Sequence, residues 1–360
     1  MTDHKRIGIL TSGGDCAGLN AVVRAVVRRA LGTYGWEVLG IRQATLGLLA
    51  NPAKVLPLDL QTIDKWLTAG GTYLGTTNKG NPFAFPMENG ELLDRSEEII
   101  AGYHQLGLDA LIGIGGDGSM AILRQLAQQG NWNLVGIPKT IDNDVGVTEH
   151  SIGFDTAVSI ATEAMDRLHF TAASHSRVMI LEVMGRDAGH IAISSGIASG
   201  ADVILIPEIP YSFDRLCDRL QGWQRQGKNY ALIVAAESAH STDEEVVTQT
   251  DTLGHSRLGG IGQHLADQLN NRKIAETRVT VLGHIQRGGI PSPRDRLIAS
   301  AFGVAAVDLI ANGKYDYLVT WQNRRVRSVP IAEAIAQYRT VDLDGTLVNT
   351  AKGLGIYLGE

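Results

Sequence analysis

Apolar runs bounded by glycine alternate along this chain with stretches in which apolar positions recur every three to four residues. The runs predict strands over 6–11, 38–42, 110–114, 134–137, 178–183, 203–206, 232–235 and 279–282. The periodic stretches predict helices over 17–31, 97–106, 119–129, 157–172, 213–226 and 261–270. Regular alternation of the two implies an α/β architecture of parallel sheets with crossover helices on both faces. In such sheets ligands bind beyond the carboxyl ends of the strands, so residues just after each strand are the first candidates for chemistry. At 360 residues the chain exceeds what one hydrophobic core usually serves, and two lobes are expected.

Composition narrows the function classes. A chain that is 44% hydrophobic and 19% charged belongs with ordinary globular proteins. A formal net charge of −6 argues against a nucleic-acid or anionic-membrane surface, since both need concentrated positive charge. No apolar stretch approaches the roughly 18 residues of a membrane helix, and no apolar signal core precedes the first strand, so a cytoplasmic location is expected. Two cysteines far apart, Cys16 and Cys217, make a disulfide framework or a cysteine zinc site improbable, and both read as reduced. No internal repeat or long linker occurs; 238–256 reads as an acidic surface loop and Asn323–Arg327 as a solvated basic face.

Glycine is the outlier, with 42 residues against an average near 7%, and its clusters sit where strands end. Thr11-Ser12-Gly13-Gly14-Asp15-Cys16-Ala17-Gly18 follows the first strand and precedes a helix. Glycines there admit a phosphate to the backbone, and the helix start supplies N–H groups and a positive dipole. A ligand-free turn would look the same. Gly113-Ile114-Gly115-Gly116-Asp117-Gly118-Ser119 repeats the arrangement with a carboxylate inside it, which suits magnesium, or merely a helix cap. Pro138-Lys139-Thr140-Ile141-Asp142-Asn143-Asp144 places two carboxylates two residues apart in a turn-prone segment. One can accept a proton from an attacking hydroxyl while the other orients metal and phosphate. Neither glycine loop matches a Walker A or a Rossmann fingerprint.

Together, TSGGDCAGLNA, GGDGS, PKTIDND, VMGRDAGH and TRVTVLGHIQRGG, in this order from about Arg6 to Gly313, resemble the phosphofructokinase A family. The resemblance implies that family's two-lobed fold and magnesium-dependent transfer of the terminal phosphoryl of ATP to the 1-hydroxyl of fructose 6-phosphate, a step of glycolysis. It implies a larger donor lobe over 1–153 plus 266–316 and a smaller sugar-phosphate lobe over 154–265 plus 317–360. By the same resemblance Asp142 is the general base, Asp117 and Asp144 position magnesium, and Thr140 touches the transferring phosphoryl. Gly13, Gly14, Gly116, Gly118 and Ser119 would cradle the donor, with Asn78, Lys79 and Lys139 beside it. Met184, Gly185, Arg186, Glu237, His284 and Arg287 would hold the sugar phosphate, with Arg186 also near the chemistry. Arg177 and Arg278 match arginines that reach across a subunit contact, implying a homo-oligomer, commonly a tetramer. Clustered arginine and histidine are what phosphate recognition needs in any fold.

Several positions depart from the family pattern. Gly118 stands where pyrophosphate users carry aspartate, which favours a nucleotide, whereas Lys139 stands where pyrophosphate users carry lysine; ADP or pyrophosphate therefore stays open as a donor. Asn78 replaces a frequent arginine, with Lys79 next to it. Thr45 occupies the place of a nucleotide-stacking tyrosine, and Ile122 that of a glycine. Of the family's effector pocket, Arg24, Arg28, Lys54 and Lys228 fit, while Gln226 replaces a basic residue.

Overall fold

A computed structural model of the chain describes residues 4–243, 246–250 and 256–359. They form two compact units. The first comprises Met1–Thr140, Val145–Asp155 and Arg287–Tyr338; the second comprises Ile141–Asp144, Thr156–Gln286 and Arg339–Glu360.

The first unit is built on a seven-stranded sheet in the order Arg325–Pro330, Tyr317–Gln322, Leu134–Pro138, Ala110–Gly115, Arg6–Thr11, Glu37–Ile41, Val55–Leu58. Its five inner strands run parallel and both edge strands are antiparallel. The inner strands are buried on both faces, which is why they read as continuous apolar runs rather than as alternation. On one face Leu10, Leu39 and Leu111 pack with Met120, Leu123 and Leu126 of the Asp117–Gly130 helix and Ile99 of the Ser96–Gln105 helix. Those three helix positions are spaced three apart and so share one face.

The second unit holds a four-stranded, all-parallel sheet in the order Thr277–Val281, Val178–Val183, Ala231–Ala236, Val203–Leu205. Alternate strand residues Val178, Ile180, Ile233 and Ala235 pack with Leu216 and Leu220 of the Phe213–Arg225 helix and Leu265 and Leu269 of the Ile261–Asn271 helix. Glu182, a buried strand carboxylate, accepts from Gly260 N at 3.0 Å and Gly262 N at 2.8 Å. It thereby satisfies N–H groups at the start of the Ile261–Asn271 helix that would otherwise lie buried without partners.

Each predicted strand and helix is present, with ends shifted by a few residues. Four segments fall on the other side of the expected lobe boundary, among them the short stretches 141–144, in the second unit, and 154–155, in the first. Residues 266–286 join the second unit because Thr277–Val281 pairs with Val178–Val183, and 317–338 join the first because Tyr317–Gln322 pairs with Leu134–Pro138. Asn323 and Arg324, with φ of 50° and 60°, turn a hairpin whose outer strand carries Arg325 and Arg327. The basic stretch thus becomes a charged edge strand, a common guard against edge-to-edge pairing. Within the polar stretch 238–256, Thr248–Thr250 pairs antiparallel with Ser256–Leu258, while 244, 245 and 251–255 lie outside the described residues. Both cysteines are buried and unbridged, and burial pushes the Cys16 thiol up to about 12.

His190 opens the His190–Ser199 helix and is buried, with Nε2 3.2 Å from the carbonyl of Arg339. A carbonyl only accepts, so the neutral ring carries its proton on Nε2. Burial, with Arg339 assisting, pushes its pKa down to about 4. Between pH 6.5 and 4 the unfolded chain takes up a proton that the native ring refuses, so stability falls as pH drops through this window. The His190 contribution lost between pH 7 and 5 is about 2 kcal/mol. Urea unfolding at both values should show the parent losing about that much more than His190→Gln; equal losses would mean that the native ring already binds the proton.

Candidate active site

Arg6–Thr11, Ala110–Gly115 and Leu134–Pro138 are neighbours in the sheet of the first unit and run parallel, so their carboxyl-end loops emerge side by side. Backbone bonds fasten these loops together. Ser12 N donates to Ile114 O at 2.8 Å, and Lys139 N to Gly115 O at 3.0 Å. The buried Lys139 ammonium donates to the carbonyl of Gly14, and a Cβ placed on Gly13 would come within 3.4 Å of the lysine Nζ. Gly13 adopts φ +81°, a left-handed conformation, and a Cβ there would stand 3.2 Å from Ser119 Oγ. Arg287 closes the loop from another side, its Nη1 donating to Asp15 O at 3.2 Å. The segment carrying Asn78 and Lys79, both exposed, is tied to the same loop: Gly13 N donates to Thr77 O at 3.0 Å and Thr76 Oγ1 to Gly13 O at 2.6 Å.

Asp117 and Ser119, half-buried, and exposed Gly118 form the first turn of the Asp117–Gly130 helix, with Gly116 before it in extended conformation. The helix start directs N–H groups and a positive dipole end toward the loops. A Cβ placed on Gly118 would meet nothing within 4 Å. The first unit therefore gathers glycine backbone, a helix N-terminus, Lys139, Arg287 and one carboxylate, a set suited to a polyphosphate.

The chain passes into the second unit after Thr140, whose carbonyl accepts from Ser151 Oγ at 2.8 Å. Asp142, Asn143 and Asp144 are buried, Asn143 takes φ 56°, and Asp144 O accepts from Arg339 N at 2.8 Å. Arg186 Nε lies 3.8 Å from Asp142 Oδ2, with the arginine side chain largely exposed. Arg186 belongs to the segment after the Val178–Val183 strand, which Glu237 holds: its Oε1 accepts from Gly185 N at 3.2 Å and Arg186 N at 3.0 Å. Met184 is half-buried and its N–H donates to Gln286 Oε1 at 2.8 Å; His284, in the Gly283–Arg287 turn, is exposed. A buried carboxylate near an exposed arginine can take a proton while the arginine meets an anionic substrate.

Other predicted residues lie elsewhere. Arg177 immediately precedes the Val178–Val183 strand and Arg278 lies at the start of Thr277–Val281. At about 3.3 Å per residue that is roughly 20 Å from the carboxyl-end segment holding Arg186. The two arginines share Glu276, at 2.9 and 2.5 Å, and Arg177 foremost holds that carboxyl below its usual range. Arg287, next in the chain to the Gln286 that holds Met184 N, donates to Asp15 O in the first unit. Thr45 is buried, and Ile122 is half-buried in the Asp117–Gly130 helix. Lys228 is ion-paired with Asp202 and lies over the rings of Trp223 and Tyr230. Sequence reasoning missed Thr76, Thr77 and Gln286 as supports of these loops; Gln286 was in view within GHIQRGG, whereas the threonines carry no motif.

The profile of the family described as Phosphofructokinase matches residues 6–310. The chain belongs to the phosphofructokinase family. The "ATP-dependent 6-phosphofructokinase 1" of Nostoc sp. is 71% identical over 360 residues, and that of Synechocystis sp. 67%, with all of both chains covered in each case. Among solved structures, phosphofructokinase from Saccharomyces cerevisiae matches with TM-score 0.79 and 28% identity over 98% of this family member, which spans 46% of the yeast chain. A pyrophosphate-dependent phosphofructokinase from Nitrosospira multiformis matches with TM-score 0.81 at 20% identity, over 99% of this chain and 93% of its own, a likeness of fold. Among the described residues no helix is long and apolar enough to cross a membrane.

Proposed function

We infer that this protein transfers the terminal phosphoryl of ATP to the 1-hydroxyl of fructose 6-phosphate, giving fructose 1,6-bisphosphate and ADP, a reaction of glycolysis. The observation that carries the reading is full-length identity of 71% to a relative named for that activity, and the loops described above are chemically suited to it. Asp142 is the group assigned to take the hydroxyl proton, and Thr140 and Arg186 the groups assigned to the transferring phosphoryl and its acceptor. The acceptor sugar phosphate falls to Met184, Gly185, Glu237, His284 and Arg287. Lys139, Ser119 and the glycine N–H groups are assigned to the donor phosphates, where fixed positive charge lowers the barrier to phosphoryl transfer.

Magnesium is the metal that the family resemblance implies, and one or two carboxylates are its usual protein share. Asp117 and Asp144 would hold it, and when bound it would neutralise phosphate charge.

Replacing Asp142 by Ser should lower kcat by about 10²–10⁴ while leaving fructose 6-phosphate affinity within a few-fold, because a general base contributes to the transition state and little to ground-state binding. Steady-state kinetics with a binding titration checks this; turnover within threefold of the parent would remove Asp142 from the role.

The donor is read from Gly118. The space around it is open, so Gly118→Asp should fold normally yet set a carboxylate against a nucleotide phosphate. ATP-dependent kcat/KM should fall at least about tenfold, a loss of 1.4 kcal/mol that like charges in a poorly solvated site readily reach. Lys139 favours the second reading, a pyrophosphate donor; ADP is the third arm of the assay. A parent that prefers pyrophosphate, or a variant with full ATP activity, would show Lys139 to be the better guide.

The protein is further proposed to act as a homo-oligomer, a tetramer by family resemblance. Within one copy Arg177 and Arg278 sit at the opposite end of the second unit's sheet from Arg186, which supports their serving another subunit's sugar phosphate. Inactive Asp142→Ser and Arg177→Ala subunits, co-assembled, should regain partial activity, since some sites then draw both intact groups from different chains. No recovery in verified mixed oligomers would end the cross-subunit reading.

A further inference from the structure

We propose that a cleft in the second unit, between the Phe213–Arg225 helix and the C-terminal segment, binds a small phosphorylated metabolite outside the reaction. The cleft encloses about 740 Å³ and is lined by residues of this unit alone, a size that suits a small molecule. Three of its lining side chains are cations, Arg215, Arg219 and Lys352, against a single carboxylate, Asp218. That surplus stands out on a chain whose formal net charge is −6. Arg215 and Arg219 are four residues apart and share one helix face, an arrangement in which like charges disfavour the helix. An anion between them would relieve that repulsion.

Two further observations point to a ligand. Arg219 is held in place: its Nη2 donates to Gly355 O at 3.1 Å and its guanidinium lies 5.3 Å over the Trp223 ring. A pre-positioned guanidinium fork loses less freedom on meeting a phosphate. Gly222 lies one turn beyond Arg219 on the same face and lines the cleft. A Cβ there would meet only Arg225 Nη2, at 3.9 Å, so packing does not demand glycine in this helix, where it is unfavourable. What the missing side chain provides is a clear floor. Phosphate would lie among Arg215, Arg219 and Lys352, with Asp218 accepting from a hydroxyl of the same molecule. Gln226 edges the cleft, but none of Arg24, Arg28, Lys54 or Lys228, the positions that resemble the family's effector pocket, lines it.

Hydrogen exchange of the full-length enzyme with glycerol 3-phosphate as the probe tests the proposal, with sodium chloride at matched ionic strength as control. The expected result is slowed exchange over 213–225 and 346–358 at about 10 mM probe, weakened about tenfold or more in Arg215→Gln/Lys352→Gln. Gly222→Leu should abolish the protection by filling the floor, with Tm at or above that of the parent. No protection in the parent, equal protection by chloride, or protection that survives both variants would overturn the site.

Discussion

Three adjacent parallel strands, Arg6–Thr11, Ala110–Gly115 and Leu134–Pro138, set where the Gly13–Gly14 loop, the start of the Asp117–Gly130 helix and Lys139 stand. Parallel pairing puts all three carboxyl ends on one edge of the sheet, and loops leaving that edge have no choice but to be neighbours. The bonds from Ser12 N to Ile114 O and from Lys139 N to Gly115 O carry the pairing past the strands into the loops themselves. Lys139 can then be buried with its ammonium on the Gly14 carbonyl, compensating part of the cost of taking a cation out of water. A slip in strand register would displace glycine backbone, helix start and lysine together.

The second unit solves the matching problem with a side chain. The Met184–Arg186 segment has no ladder partner, and a loop in that position is ordinarily mobile. Glu237, at the end of the adjacent Ala231–Ala236 strand, receives two of its N–H groups, and Gln286 a third. Carboxylate-to-backbone bonds are among the stronger kinds. The residue that the family resemblance assigns to sugar recognition is thus also what shapes the loop carrying Arg186, so truncating it would disturb both.

The strand–helix alternation and the glycine-bearing loops that end the strands were legible because buried parallel strands are continuous apolar runs and glycine clusters punctuate them. Other elements were less so. The Pro293–Ala311 helix went unread although Ser292 caps it, accepting from Asp295 N at 3.1 Å, and Pro293 opens it. Its apolar residues are spread round the helix rather than gathered in a stripe, so periodicity carried little signal. The His190–Ser199 helix is nearly all apolar or small and hides for the same reason. The lobe boundary misled because strand partnership, which assigns 266–286 and 317–338, leaves no local mark in sequence.

By itself the sequence determined which segments are strands, which loops hold glycine and carboxylate, and the family, since these depend on residue types at short spacing. Tertiary structure alone decided that Arg287 stands at the Gly14–Asp15 turn and that Glu237 grips Gly185 and Arg186. It also decided that Arg177 and Arg278 meet on Glu276 at the far end of the sheet. Apart from Arg278 with Glu276, two positions away, each of these is a contact between residues tens to hundreds of positions apart, set by strand order and direction, and side-chain type constrains neither.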